Sequence, residues 1–266
     1  MYGRQFSLRQ AAKVASVVGL ASGPLFFATL RKGPLAAFEF ASRSLELFKE
    51  LAMEDPLPTI SLEQLGGHNE HSKQIWIDLA KPSPSMPPGE LALLCSLVRW
   101  KNPKAVVEIG TYRGFTTLHL SRNTSATCRI FTADLPPEAA EQKAAQSSDP
   151  HMIREAARSA RVFGDDRKIV QILQDSTTID WAKIVDRPVE FALVDGSHLY
   201  EHVRKDTEAV LKVLAPGGVL VWHDYLRVEI RRGVGRYLAE LRRSGLPVYR
   251  FEGTTIAVHV RAAKDV

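Results

Sequence analysis

From residue 105 onward the chain alternates short apolar runs with longer stretches of helical period, and this constrains its fold more than any other feature. The runs are residues 105–109, 129–133, 168–173, 190–194 and 218–222. Runs of this length suit strands buried on both faces, and the stretches between them are long enough to cross back as helices. Such an order predicts a mainly parallel sheet with helices on both faces. Two further runs, 248–251 and 255–260, lie too close together for a crossover helix and predict an antiparallel hairpin at one edge. The expected fold class is therefore α/β, a doubly wound, mainly parallel, seven-stranded sheet. Helices are expected over 89–100, 116–121, 152–161, 199–214 and 228–243.

In an open parallel sheet, ligands bind outside the carboxyl ends of the strands. Each expected strand here ends in polar or glycine residues while its body is apolar. The first runs into Glu108-Ile109-Gly110-Thr111-Tyr112-Arg113-Gly114, and the second ends at Asp134. The third is followed by Asp175-Ser176, the fourth by Asp195-Gly196-Ser197-His198, and the fifth by His223-Asp224. Accident rarely places five such sets on one rim. Gly110 and Gly114 allow close backbone approach to a ligand and a sharp turn into a helix N-terminus. Tyr112 stands where the dinucleotide fingerprint has its second glycine, which weakens a nicotinamide dehydrogenase reading. Asp134 follows Gly110 at the distance of a carboxylate that accepts from ribose hydroxyls, an adenosyl-nucleoside signal. A turn or helix cap is its other reading. Neighbouring strands lie about 5 Å apart, so Asp195 and Asp224 could share one cation, with oxygen ligands that suit magnesium.

Residues 1–80 are expected to form a helical extension, separated by a proline-rich run at 81–88 from a domain over 89–266. Apolar positions at helical spacing predict a helix over 35–54. The uncharged stretch 14–30 carries Gly19, Gly23 and Pro24 and is short for a membrane span. Three readings stay open for it: packing on the domain or on a second copy in a homo-oligomer, contact of residues 1–32 with a membrane surface, or an anchor. The net charge of +5 comes from arginines between 227 and 250, read as a solvated helix face; no nucleic-acid-binding signature accompanies them, so nucleic acid is not an expected partner. Cys95 and Cys128 have neither disulfide nor zinc spacing and read as buried thiols of a reducing, cytoplasmic compartment, with membrane association left open.

The strings EIGTYRGFTTLHL and ALVDGSHLYEHVRKDTEAVLKVLAPGGVLVWHDY, with their spacing, resemble the class I S-adenosylmethionine-dependent methyltransferases. The similarity covers about 91–260. It is nearest to the group holding macrolide-sugar and other small-molecule O-methyltransferases, and the first string also looks like that of catechol and caffeoyl-coenzyme A O-methyltransferases. The resemblance implies the methyltransferase variant of the Rossmann fold, S-adenosylmethionine as cofactor and a small-molecule acceptor. It implies that Glu108, Gly110, Thr111 and Gly114 shape the methionine pocket, that Asp134 holds the ribose, and that Asp175 and Ser176 sit near the adenine. Asp195 would face the methyl group, and its counterpart binds magnesium in metal-dependent relatives. His198 matches a histidine proposed as general base, and Asp224 a second metal ligand. Those relatives carry two adjacent carboxylates where this chain has His223-Asp224. His223 is then either a ligand for a softer ion than magnesium or a group that orients Asp224 or the substrate.

Three functions follow: methyl transfer to a hydroxyl of a sugar or secondary metabolite; N-methylation or a hydroxylase-like reaction on the same fold; and noncatalytic adenosyl-nucleoside binding. Turnover of Asp195, His198 and Asp224 alanine variants separates the first two. Cofactor binding without consumption marks the third.

Overall fold

The computed structural model describes residues 57–66, 74–78, 86–144, 166–225 and 233–263. The strands are β1 (Thr59–Ile60), β2 (Ala105–Ile109), β3 (Arg129–Asp134), β4 (Ile169–Leu173), β5 (Val189–Val194), β6 (Leu214–Trp222), β7 (Tyr249–Phe251) and β8 (Ala257–Val260). The helices are α1 (Pro88–Lys101), α2 (Phe115–Arg122), α3 (Pro137–Ala144), α4 (Trp181–Ile184), α5 (Tyr200–Val213) and α6 (Val234–Arg243). They build one sheet in the order β1-β7-β8-β6-β5-β2-β3-β4. Strands β4, β3, β2, β5 and β6 run parallel, and β8 is antiparallel to both β6 and β7. Strand order reverses beside β2, so the cleft at the carboxyl ends of β2 and β5 is the expected binding place.

Alternation along each strand divides the core between the two faces. Val107, Ile109, Ala192, Leu220 and Trp222 pack on one side with Val203 and Val210 of α5 and Leu238 of α6. Val106, Ile130, Leu193, Val219 and Val221 pack on the other with Leu91, Leu94, Leu97 and Val98 of α1. Leu94, Leu97 and Val98 are wholly buried, each stabilising the fold by about 1.5–3 kcal/mol. Both cysteines are buried free thiols, as expected, and burial pushes Cys95 up to about 12 and Cys128 to about 11.

The sheet has eight strands where seven were expected. The additional one, β1, lies within the segment assigned to a helical extension. It pairs parallel to β7, which would otherwise be an open edge. The Arg250 amide donates to Pro58 O at 2.9 Å, and the Leu57 amide donates to the Tyr225 hydroxyl at 2.8 Å. A second upstream piece, 74–78, lies on α2. Asn123 accepts from the Trp76 amide and donates to the Trp76 carbonyl, both at 2.8 Å, and His119 Nε2 accepts from the Asp78 amide at 3.0 Å. The described upstream pieces are therefore short strand, turn and irregular chain, 57–60 and 74–78 being tied to the α/β unit. The helices expected over 35–54 and 152–161, and the apolar stretch 14–30, lie outside the described residues, as does the first part of the helix expected from 228. Among the described residues no helix is long and apolar enough to cross a membrane.

Candidate active site

The first strand end becomes a tight loop because three residues take left-handed backbone: Gly110 (φ 99°), Tyr112 (φ 48°) and Gly114 (φ 72°). Gly110 is demanded twice over, since a Cβ there would lie 2.2 Å from the Asp195 carbonyl oxygen. The loop is pinned to both neighbouring strands: the Gly110 amide donates to Ala133 O at 2.9 Å and the Asp195 amide to Ile109 O at 2.8 Å. Gly110, Asp134 and Asp195 therefore share one rim.

Asp134 holds the loop from the β3 side. Its Oδ2 accepts from the Tyr112 amide and its Oδ1 from the Leu135 amide, each at 2.7 Å. Burial pushes its carboxyl above the usual aspartate range, although these amides pull against the shift. Glu108 is completely buried, and its Oε2 accepts from the hydroxyls of Thr117 at 2.5 Å and Thr132 at 2.6 Å. The Thr111 and Thr132 hydroxyls lie 2.6 Å apart, which ties Thr111 into the same cluster. Glu108 Oε1 is buried without a hydrogen-bond partner. Burial, opposed by the two threonine hydroxyls and aided by the charges of Asp195 and Asp134, pushes this carboxyl up to about 8. A buried, acid-rich rim with one unpartnered carboxyl oxygen suits a cationic ligand, whose charge would relieve the repulsion among the acids. Asp175 caps its own short 3-10 turn, Ser176–Thr178, accepting from the Thr177 amide at 3.0 Å and hydroxyl at 2.8 Å. The adjacent Gln174 amide donates to Asp134 O, so Asp175 and Ser176 follow the same rim.

The second half of the site lies at the ends of β5 and β6. Donor atoms of Asp195, His198 and Asp224 all lie within 4.8 Å of one another, a grouping that could hold a metal ion. His198 Nε2 is 2.9 Å from Asp224 Oδ2, yet it is buried and its approach lacks hydrogen-bond geometry. Nitrogen and carboxylate thus converge side by side, as ligands of a shared cation do. Asp224 takes a left-handed φ of 61°, which turns the chain sharply after β6. Gly233, at the start of α6, backs this loop: a Cβ on it would fall 1.5 Å from the His198 carbonyl oxygen. Tyr200 turns away to Glu240 Oε2 at 2.5 Å, with Arg236 over its ring at 4.7 Å.

His223 departs from the metal-ligand expectation. Its Nδ1 lies 3.1 Å from Asp195 Oδ1, and its Nε2 lies 2.7 Å from Glu90 Oε2. Both ring nitrogens are taken, so no lone pair is left for a cation, and His198 completes the group in its place. Burial alone would lower the imidazole pKa, but Asp195, Glu90 and Asp224 outweigh it and push it up to about 11. Glu90 was not anticipated from the sequence. A glutamate in the first turn of a helix usually serves the helix dipole, and no motif marks its partners.

A cleft of about 700 Å³ is lined by Leu118, Ser121, Arg122, Asp166 and Lys168. It lies beyond the far end of α2, opposite the glycine loop, and plays no part in this chemistry.

Residues 107–225 match a family model described as a methyltransferase domain. An uncharacterized protein of Sinorhizobium fredii is 28% identical over 148 residues, which span 54% of this chain but only 16% of that protein. The O-methyltransferase TomG of Streptomyces achromogenes, involved in tomaymycin synthesis and solved with SAM, superposes with a TM-score of 0.50 at 17% identity. That match covers 72% of this chain and 94% of TomG. The SAH-bound Podospora anserina methyltransferase PaMTH1 superposes with a TM-score of 0.52 at 17% identity, over 85% of this chain and 96% of its own. At these identities the likeness is one of fold.

Proposed function

We propose that this chain, whose residues 107–225 match a methyltransferase-domain model, is a class I S-adenosylmethionine-dependent enzyme that transfers a methyl group to a hydroxyl of a small molecule, a sugar or secondary metabolite. The observation that carries the reading is the direct contact between the two halves of the site. Gly110 of the loop lies against the backbone of Asp195, so a cofactor on the loop meets the Asp195, His198 and Asp224 side chains. The unpartnered Glu108 Oε1 and the cluster of acids fit the cationic methionine end of S-adenosylmethionine, and Asp134, beside the loop at the end of β3, would hold the ribose.

S-adenosylmethionine would supply an electrophilic methyl group on a sulfonium. In our reading the residues do the rest. The loop and Asp134 fix the donor, and Asp195 faces the transferred carbon. His198 receives the acceptor's proton on Nδ1, the ring nitrogen not turned to Asp224, as the oxygen–carbon bond forms and the carbon–sulfur bond breaks. Alignment of these three atoms supplies much of the rate.

A divalent cation would fit Asp195, His198 and Asp224 as an alternative arrangement, in which an imidazole holding the ion through Nε2 carries its proton on Nδ1 and His198 is a ligand and not the base. When bound it would lower the pKa of an adjacent hydroxyl. One imidazole with two carboxylates suits manganese or zinc better than magnesium. The test is calorimetry with S-adenosylhomocysteine, with and without these ions, followed by methyl transfer from labelled S-adenosylmethionine to a panel of hydroxylated sugars and phenols. Tight binding with transfer lost in H198A and D224A supports the reading. Transfer unchanged in both variants refutes it, and binding with no transfer to any acceptor leaves only a nucleoside-binding module.

A further inference from the structure

We propose that Glu90 is a positioning residue of this site, clamping His223 so that Asp195 is held in place. Glu90 is the third residue of α1, whose N-cap, Pro87, offers no side-chain cap. Its carboxylate nonetheless turns inward and is only 6% exposed. Burying a carboxylate is costly unless its oxygens find partners. Here Oε2 meets His223 Nε2 at 2.7 Å and the Thr255 hydroxyl at 3.1 Å, and Oε1 accepts from the Thr255 amide at 2.5 Å. His223 carries the constraint onward through Nδ1, 3.1 Å from Asp195 Oδ1 and 3.5 Å from Asp224 Oδ1. One carboxylate on α1 thereby fixes a ring between the two acids of the site, and Thr255, from the β7–β8 turn, fixes the carboxylate.

The inference rests on the reading of Asp195, His198 and Asp224 as the methyl-transfer centre, and the test separates the two. Partners of this kind typically change metal affinity or activity by about 10- to 100-fold when removed. Glu90 touches neither the glycine loop nor Asp134, so its loss should not reach the cofactor.

The experiment compares the full chain with E90A and E90Q for S-adenosylhomocysteine affinity, manganese affinity by calorimetry, and kcat. In E90A we expect manganese affinity and kcat to fall about 10- to 100-fold, with S-adenosylhomocysteine affinity kept. E90Q, whose oxygen can accept from the Thr255 amide while its NH2 donates to an unprotonated His223 Nε2, should recover most of the loss. A general structural tie would instead lower both affinities and kcat together, in E90A and E90Q alike, and that result overturns the proposal. So does E90A behaving like the wild type. If E90A fails to fold, E90D replaces it: the shorter side chain cannot span both partners, and an E90D protein equal to E90Q refutes the role. A wild type that binds no S-adenosylhomocysteine brings down the methyl-transfer reading, while the manganese measurements still decide Glu90.

Discussion

Replacing Gly233 with alanine should separate cofactor binding from methyl transfer. The added Cβ would start 1.5 Å from the His198 carbonyl oxygen, and real Cβ atoms essentially never come within 3.0 Å. The carbonyl oxygen is backbone and the backbone fixes where a Cβ stands, so no side-chain rotation relieves the clash. The His198 loop and the start of α6 must part by about 1.5 Å, which breaks the 2.9 Å approach of His198 to Asp224. Misplacement of a reacting group by about 1 Å can cost about 100-fold in rate. The glycine loop and Asp134 are held by β2 and β3 and take no support from Gly233. We therefore expect kcat for G233A to fall about 100-fold or more, with S-adenosylhomocysteine affinity within about threefold of wild type. Calorimetry gives the affinity, labelled-methyl transfer gives the rate, and thermal unfolding confirms that the variant folds. A folded G233A with wild-type kcat would show that His198 does not have to stand where the structure puts it.

G110A combines a left-handed residue, costing about 1–3 kcal/mol, with a 2.2 Å clash against Asp195; we expect no detectable S-adenosylhomocysteine binding by calorimetry, and wild-type affinity would refute the role of the loop. Glu108 titrates in the folded chain at about 8 against an ordinary 4.5, so its contribution to stability is full below pH 4.5 and is lost as pH rises through 8. The unfolding free energy of wild type minus that of E108Q, from urea unfolding, should therefore shrink between pH 5 and 9 by an amount on the order of a few kcal/mol, and a flat difference would contradict the assignment. T207V removes the hydroxyl that accepts from Trp222 Nε1 at 2.9 Å and should destabilise by about 1–3 kcal/mol in urea unfolding; a variant as stable as wild type would show that the indole needs no partner. N123A should release 74–78, and faster proteolysis there without loss of global stability is the expected readout; unchanged cleavage would mean other contacts hold the segment.

The parallel sheet was legible because strands buried on both faces must be continuous apolar runs, and the β2 and β5 boundaries fall within a residue of those expected. The rim was legible for the complementary reason: polar residues immediately after such runs have nowhere to go but the strand ends. What escaped notice depends on distant partners. The role of His223 turns on Glu90, 133 positions away, and sequence spacing carries no trace of that pairing. The two residues of β1 are too few for any periodicity to show, and they pair with β7 because that edge is open. Gly233 falls inside the helix expected over 228–243, and only the approach of His198 shows why a side chain is not tolerated there.

Asp224 stands in a backbone conformation that most residues avoid, so the chain beyond it has to be anchored. Tyr225 supplies the anchor: its amide bonds to Thr255 O at 2.9 Å, and its hydroxyl takes the Leu57 amide. The segment ahead of the α/β repeat thus acts as a guy-rope on the rim, made fast one residue from Asp224 of the proposed centre. A fragment trimmed to the family-matched core would keep every residue of the centre and still slacken it.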